Sequence, residues 1–163
     1  MNYDLAEEEL ELYAMVKDFA DTVVAPRSYE ADTKHELPMD IVAQMGELGL
    51  FGLPFPEEYG GQGGNYFALC LAIEALARVD QSIAITLEAA IGLGAMPIYR
   101  YGTDDQKSTW LPDLVAGRAL AGFGLTEAEA GSDAGATRTT AVLDGDLDGF
   151  LEAYLKAQVG EGT

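Results

Sequence analysis

Apolar side chains at Leu12, Met15, Val16, Phe19, Ala20, Val23 and Val24 recur every three or four positions, which lines them along one stripe of a helix from about residue 6 to 24. Pro26 then marks its end, because a proline inside a helix has no amide to donate and crowds the preceding turn. A second, shorter helix is expected from about residue 38 through Ile41, Val42, Met45 and Leu48, with Gly49 as its stop. The run GLPFPEEYGGQGGN over residues 52–65 is too rich in glycine and proline for regular structure and must be a loop. Its glycines are candidates for a phosphate-binding nest, but no Gly-Lys-Ser/Thr follows to complete a nucleotide loop.

Residues 66–79 are apolar nearly all round, the pattern of a helix in the middle of a protein. Another helix is expected over about residues 82–99, where Gly92, Gly94 and Pro97 loosen or kink the second half and admit a close neighbour, either a flat or bulky group or simply another helix. Thr103, Asp104, Asp105 and Gln106 form a capping box and open a helix that carries Trp110, Leu111, Leu114 and Val115 and ends at Gly117. Five helical segments in succession, joined by short loops, make an antiparallel bundle the natural architecture for residues 1–117.

The pattern then changes. LAGFGLTE and ATRTTAVL are rich in small, β-branched or aromatic residues and read as strands. Asp144-Gly145 is a hairpin signal, yet Phe150, Leu151, Tyr154 and Leu155 have helical spacing, which predicts a short terminal helix. The expected fold is therefore mostly α: a helical bundle over 1–118, the start of a β region over 119–146, and a tail over 147–163.

Charge narrows the possible partners. With 28 acids against 9 bases the net charge is −19, a surface that repels phosphate backbones and anionic lipids and so argues against nucleic acid or membrane. It also suits a salt-rich cytoplasm, where counterions screen self-repulsion. No run of 18 apolar residues is evident, and the acidic start (Asp4, Glu7, Glu8, Glu9, Glu11) is unlike a targeting peptide, so a cytoplasmic location is expected. Cys70 is the only cysteine and sits among apolar residues, which predicts a buried, inert thiol, and with a single histidine, His35, no familiar metal site can be assembled. Asp144, Asp146, Asp148 and Gly149 begin like an EF-hand loop, but Leu155 stands where that loop needs a bidentate glutamate.

Four stretches, PFPEEYGGQGG at 54–64, ARVDQSIAITLEA at 77–89, YGTDDQKSTWLPDLVAG at 101–117 and FGLTEAEAGSDAGATRTTA at 123–141, resemble the acyl-CoA dehydrogenase family in order and spacing, most closely its short- and medium-chain members. The resemblance covers residues 3 to about 146. It implies FAD-dependent α,β-dehydrogenation of an acyl-CoA thioester, with an electron-transferring flavoprotein as partner and a homo-oligomer as the complete enzyme. At the flavin the family has Thr-Glu-Pro, two small residues and Gly-Ser-Asp; this chain has Thr126, Glu127, Ala128, Glu129, Ala130, Gly131, Ser132 and Asp133. Ala128 replaces the proline and frees the backbone there, and Glu129 puts a charge at a usually small position, tolerable if it points outward.

By that resemblance Phe123, Leu125, Thr126, Gly131 and Ser132 contact the cofactor. The Leu125 and Thr126 amides and the Thr126 hydroxyl serve the N1/O2 edge, where negative charge appears on reduction. Ser132 also touches substrate or pyrophosphate, and Gly131 lets the backbone approach closely. Without the resemblance the same residues read as an ordinary strand-to-loop corner. Residues 86–94 and Met96 would face the fatty chain, with plain bundle core an equal alternative for each. The family's catalytic glutamate belongs to a carboxy-terminal bundle that this chain does not match, so no residue here is assigned as the base, and Glu88 and Glu127 are not substitutes. From Leu147 the sequence LDGFLEAYLKAQVGEGT departs from the family. The implied alternative to an incomplete enzyme is a non-catalytic helical fragment that associates through an exposed apolar face.

Overall fold

The computed structural model describes residues 4–138. The chain divides into two compact units, Met1–Phe123 and Gly124–Thr163. The expected hairpin turn, calcium-like loop and terminal helix beyond residue 143 lie outside the described residues, as does most of ATRTTAVL.

The first unit is helical throughout. Its helices are α1 (Glu7–Phe19), α2 (Ala25–Lys34), α3 (Met39–Glu47), α4 (Tyr66–Ala77), α5 (Gln81–Glu88), α6 (Met96–Tyr101) and α7 (Asp104–Val115). Polar residues at their starts explain where several begin. Asn65 Oδ1 accepts the Ala68 N–H at 3.0 Å, and Asp80 Oδ1 accepts that of Ile83 at 3.0 Å, so each carboxamide or carboxylate satisfies a backbone donor that the first turn leaves unpaired. The expected capping box is present: the Gln106 N–H donates to Thr103 Oγ1 at 3.2 Å and the Thr103 N–H to Gln106 Oε1 at 2.9 Å. Gly49 and Gly117 stop α3 and α7 with φ of 73° and 70°, a left-handed backbone that suits glycine.

Pro26 does not end the first helix. Between α1 and α2 the residues Ala20–Val24 form a π turn, and the Ala25 N–H donates to the Ala20 carbonyl five residues back. That wider turn relieves the demand for an amide at Pro26, which sits in the first turn of α2, where proline is tolerated. The helix runs on to His35, whose φ of 55° supplies the left-handed terminus that a glycine would normally provide. Within the stripe read from sequence, Val16, Phe19, Ala20 and Val24 are buried, while Met15 and Leu48 of the first two predicted helices lie at the surface.

The core gathers Phe51, Phe55, Ile41, Met45, Leu76, Leu87, Ile91 and Leu111, all essentially sealed from solvent. It sits where α4 packs between α1 and α5, with α7 against the continuation of α5. Surface ion pairs clamp the periphery: Asp21 takes both Lys17 at 2.7 Å and Arg78, and Arg27 pairs with Asp40. Tyr99 meets Phe55 and Tyr59 edge-on at ring separations of 5.7 and 5.9 Å.

Cys70 is exposed, contrary to expectation. An all-apolar helix does not reveal which of its sides lacks a neighbour; α4 buries Leu69, Ala72, Ala75 and Leu76 and turns Tyr66, Phe67 and Cys70 outward. No unbroken apolar run of 18 residues is present, but because α5 continues through Gly92, Gly94 and Pro97, Gln81–Tyr101 is by length and composition long and apolar enough to cross a membrane, and 44% of its most apolar window is buried in the bundle, as suits a core helix. LAGFGLTE runs outside any ladder, and no strand forms among the described residues; Glu127 and Ala130 make only an isolated bridge.

Candidate functional site

The phosphate-nest idea for the 60–64 loop does not survive its hydrogen bonds. The N–H groups of Gly60, Gly61, Gln62 and Gly63 donate to the carbonyls of Glu57, Pro56, Gly52 and Phe55 at 2.9 to 3.1 Å, so they point into the loop and not at a ligand. A methyl at Gly61 would fall 2.1 Å from the Phe55 carbonyl oxygen, which shows that these glycines serve a tightly folded turn.

The helix expected to face an acyl chain divides cleanly. Between α5 and α6 the residues Ala89–Ala95 form a π segment, and Leu87, Ala90, Ile91, Gly94, Ala95 and Met96 are buried in the bundle. The outward side carries Ile85 and Leu93, 59% and 46% exposed, with Glu88, Ala89 and Gly92 half-buried between them. Thr86 donates its hydroxyl to the Ser82 carbonyl at 2.7 Å. Beside Ile85 an apolar groove of about 460 Å³ runs along Ile73, Ala77, Ala84 and Glu88. Wider spacing within a π turn shifts which residues face out, and such turns recur at functional sites.

A larger polar groove of about 910 Å³, lined by Tyr29, Asp32, His35, Glu36, Asp80 and Gln81, was not anticipated from sequence. The one available signal was His35, a polar residue closing a helix that sequence reading ended nine residues too early at Pro26. Three acids line the groove, yet among the described residues no group of His, Cys, Asp and Glu can hold a metal ion. The carboxylates held away from their ordinary pKa are shifted by surface ion pairs. Asp21 is lowered by hydrogen bonds from Lys17 and Arg78, Asp40 by the one from Arg27, and Glu30 by the one from Lys34; the Tyr59 phenol is raised, chiefly by burial.

Phe123 ends the helical unit with its ring 56% exposed. In the unit that follows, Leu125 is 50% exposed and Thr126, Gly131 and Ser132 are open to solvent. Residues 127–130 close a tight turn, with the Glu127 N–H donating to Ala130 O at 3.0 Å and the Ala130 N–H to Glu127 O at 3.3 Å. The turn therefore forms with Ala128 in place of proline. Ala130 is buried and anchors it, while Glu129 points to solvent, as its charge requires. Glu127 Oε2 accepts the Arg138 N–H at 2.9 Å, and Asp133 Oδ1 accepts that of Gly135 at 3.2 Å, so these carboxylates brace the loop.

Among the described residues the Leu125 and Thr126 amides and the Thr126 and Ser132 hydroxyls have no protein partner. A methyl at Gly131 would meet nothing within 4 Å. Amides and hydroxyls are the chemical type of donor that the polar edge of a flavin accepts.

Comparison with known proteins identifies the helical unit. The family described as "Acyl-CoA dehydrogenase, N-terminal domain" matches residues 6–118. A probable acyl-CoA dehydrogenase, YngJ of Bacillus subtilis, is 48% identical over 146 residues, covering 90% of this chain and 38% of its own length. The solved butyryl-CoA dehydrogenase of Megasphaera elsdenii superposes with a TM-score of 0.80 at 37% identity, over 85% of this chain and 37% of that one. An acyl-CoA dehydrogenase of Bacillus anthracis, solved in complex with FAD, gives 0.79 at 36% identity, over 85% of this chain and 24% of that one. The chain thus spans less than two-fifths of the length of the first two. Its helical bundle, its capped α7 and the match across residues 6–118 place it in the acyl-CoA dehydrogenase family, of which it carries the amino-terminal domain.

Proposed function

We propose that this chain furnishes the amino-terminal part of an FAD-dependent enzyme that dehydrogenates an acyl-CoA thioester between the α and β carbons. The observation that carries this reading is the helical domain of this family over residues 6–118, followed by a Thr-Glu…Gly-Ser-Asp loop in which the Leu125 and Thr126 donors are exposed and have no partner among the described residues. FAD, when bound, supplies the two-electron acceptor. The residues of this chain hold it: the Leu125 and Thr126 N–H groups and Thr126 Oγ1 donate to its polar edge, Phe123 offers an exposed ring, and Ser132 Oγ donates to a phosphate or to the thioester arm past the bare Cα of Gly131. Ile85 and Leu93 offer apolar surface to an acyl chain. Glu127 is committed to the Arg138 amide, so the proton-abstracting base is sought outside these residues. An electron-transferring flavoprotein partner, a homo-oligomeric complete enzyme and a cytoplasmic location belong to the same proposal.

A chimera tests it. Residues 4–138 replace the matching segment of the Megasphaera elsdenii butyryl-CoA dehydrogenase, and the purified product is examined for bound flavin and for bleaching by butyryl-CoA. Flavin retention with substrate bleaching is expected, and Thr126→Val should weaken flavin retention. A chimera that folds with a native helical spectrum yet holds no flavin contradicts the reading.

A further inference from the structure

The π segment Ala89–Ala95 carries Gly92 and Gly94, and their surroundings differ. At Gly92 a methyl would lie 2.8 Å from a carboxylate oxygen of Glu88, the far end of a flexible side chain that can swing aside. At Gly94 it would lie 2.6 Å from the Cβ of Ala121, 2.8 Å from its carbonyl oxygen and 3.0 Å from its carbonyl carbon. Those atoms belong largely to main chain, which cannot yield without moving the whole segment. Glycine inside a helix is ordinarily less stable than alanine, so a buried glycine at 94 calls for a reason, and the close approach of Ala121 supplies one.

The approaching segment is itself constrained at its start. It leaves α7 at Gly117, where a methyl would lie 2.5 Å from the Phe51 ring and 2.9 Å from the Gly46 Cα. It then reaches Gly94 at Ala121, and Phe123 follows two residues later. We propose that Gly94 is a positioning residue: the missing Cβ seats the main chain at Ala121 against the π segment, and so sets the path of the chain to Phe123. The functional half of this inference rests on the flavin reading above.

The seat is tested first without flavin, in the 163-residue chain, by trypsin. Gly94→Ala is expected to speed cleavage after Arg118 by about tenfold, reading local opening, with cleavage after Arg100 on the same helix unchanged. Gly92→Ala leaves both rates alone. Adding Ala121→Gly to Gly94→Ala removes the Cβ contact but leaves the carbonyl oxygen 2.8 Å away, so it restores only part of the protection. No acceleration at Arg118, or equal acceleration at Arg100, overturns the seat, and so does full restoration by Ala121→Gly, which would mean that the main chain is not what Gly94 accommodates. The positioning role is read in the flavin-bearing chimera, where Gly94→Ala should lower flavin affinity about tenfold, a change of about 1.4 kcal/mol, and Ala121→Gly should recover only part of it. Unaltered affinity alongside rapid cleavage at Arg118 overturns that role. A chimera lacking flavin with Gly94 intact contradicts the flavin reading instead, and the cleavage rates still decide the seat.

Discussion

In the helical unit, Leu76, Leu87 and Ile91 are sealed from water, helix starts are capped by Asn65, Asp80 and Thr103, and even the glycine-rich 60–64 loop has turned its amides inward. In the described part of the second unit, residues 124–138, only Ala130 is buried, Leu125 is half exposed, and the amides and hydroxyls of Leu125, Thr126 and Ser132 have no partner among the described residues. A region that satisfies its own polar groups can fold on its own contacts. The donors of the second region lie in water, which satisfies them and leaves them accessible. Under the proposed function the first region is the scaffold and the second the reader of a ligand, and mutations should separate them.

The largest effect is expected in the core. Leu87→Ala should cost about 2–5 kcal/mol in denaturant unfolding, because it removes a fully buried side chain and leaves a cavity, while Leu125→Ala should stay within about 0.5 kcal/mol. Equal losses at the two sites would erase the distinction. A second outcome concerns the cofactor itself. The purified 163-residue chain, given excess FAD, should not form a stoichiometric yellow complex that survives gel filtration. Its few neutral hydrogen bonds contribute on the order of 1 kcal/mol each, against at least about 4 kcal/mol lost on association. Thr103→Ala comes next, with a loss of about 1 kcal/mol in the same unfolding assay, since the Gln106 amide loses its acceptor.

The smallest effect is electrostatic. Asp21 is held below the ordinary carboxylate range, first by its hydrogen bond from Lys17 and then by that from Arg78. Its folded pKa is depressed, so its contribution is complete above about pH 4 and fades as pH falls through the lower folded value. Thermal melts of Asp21→Asn should therefore lie slightly below those of the parent at pH 7 and converge with them in acid; a gap that widens in acid would contradict the sign.

Much of the scaffold was legible in the sequence because its signals are local. Thr103 with Gln106 marked a helix start, Gly49 and Gly117 marked helix stops, and the three- and four-residue apolar spacing picked out Val16, Phe19, Ile41 and Met45 as core. The misreadings each needed a fact that is not local. Pro26 stays inside a continuing helix only because the π turn ahead of it changes the hydrogen-bond register. Cys70 is exposed because no described element covers that side of α4, and an all-round apolar pattern cannot say which side that is. LAGFGLTE has strand-forming residues, but a strand exists only beside a partner, and none is present among the described residues. The open donors of Leu125 and Thr126 were assigned through resemblance, since Thr, Gly and Ser at a loop corner look the same with or without a ligand.

Hydrogen exchange of the purified chain, resolved to single amides, tests the contrast most directly. The account predicts that the amides of Leu76 and Leu87, inside α4 and α5, exchange only when the helical unit unfolds, whereas those of Leu125 and Thr126 exchange close to the unprotected rate. Protection at Leu125 and Thr126 as strong as that at Leu87 would mean that these donors are already engaged within the protein, and would contradict their assignment as open ligands for a flavin.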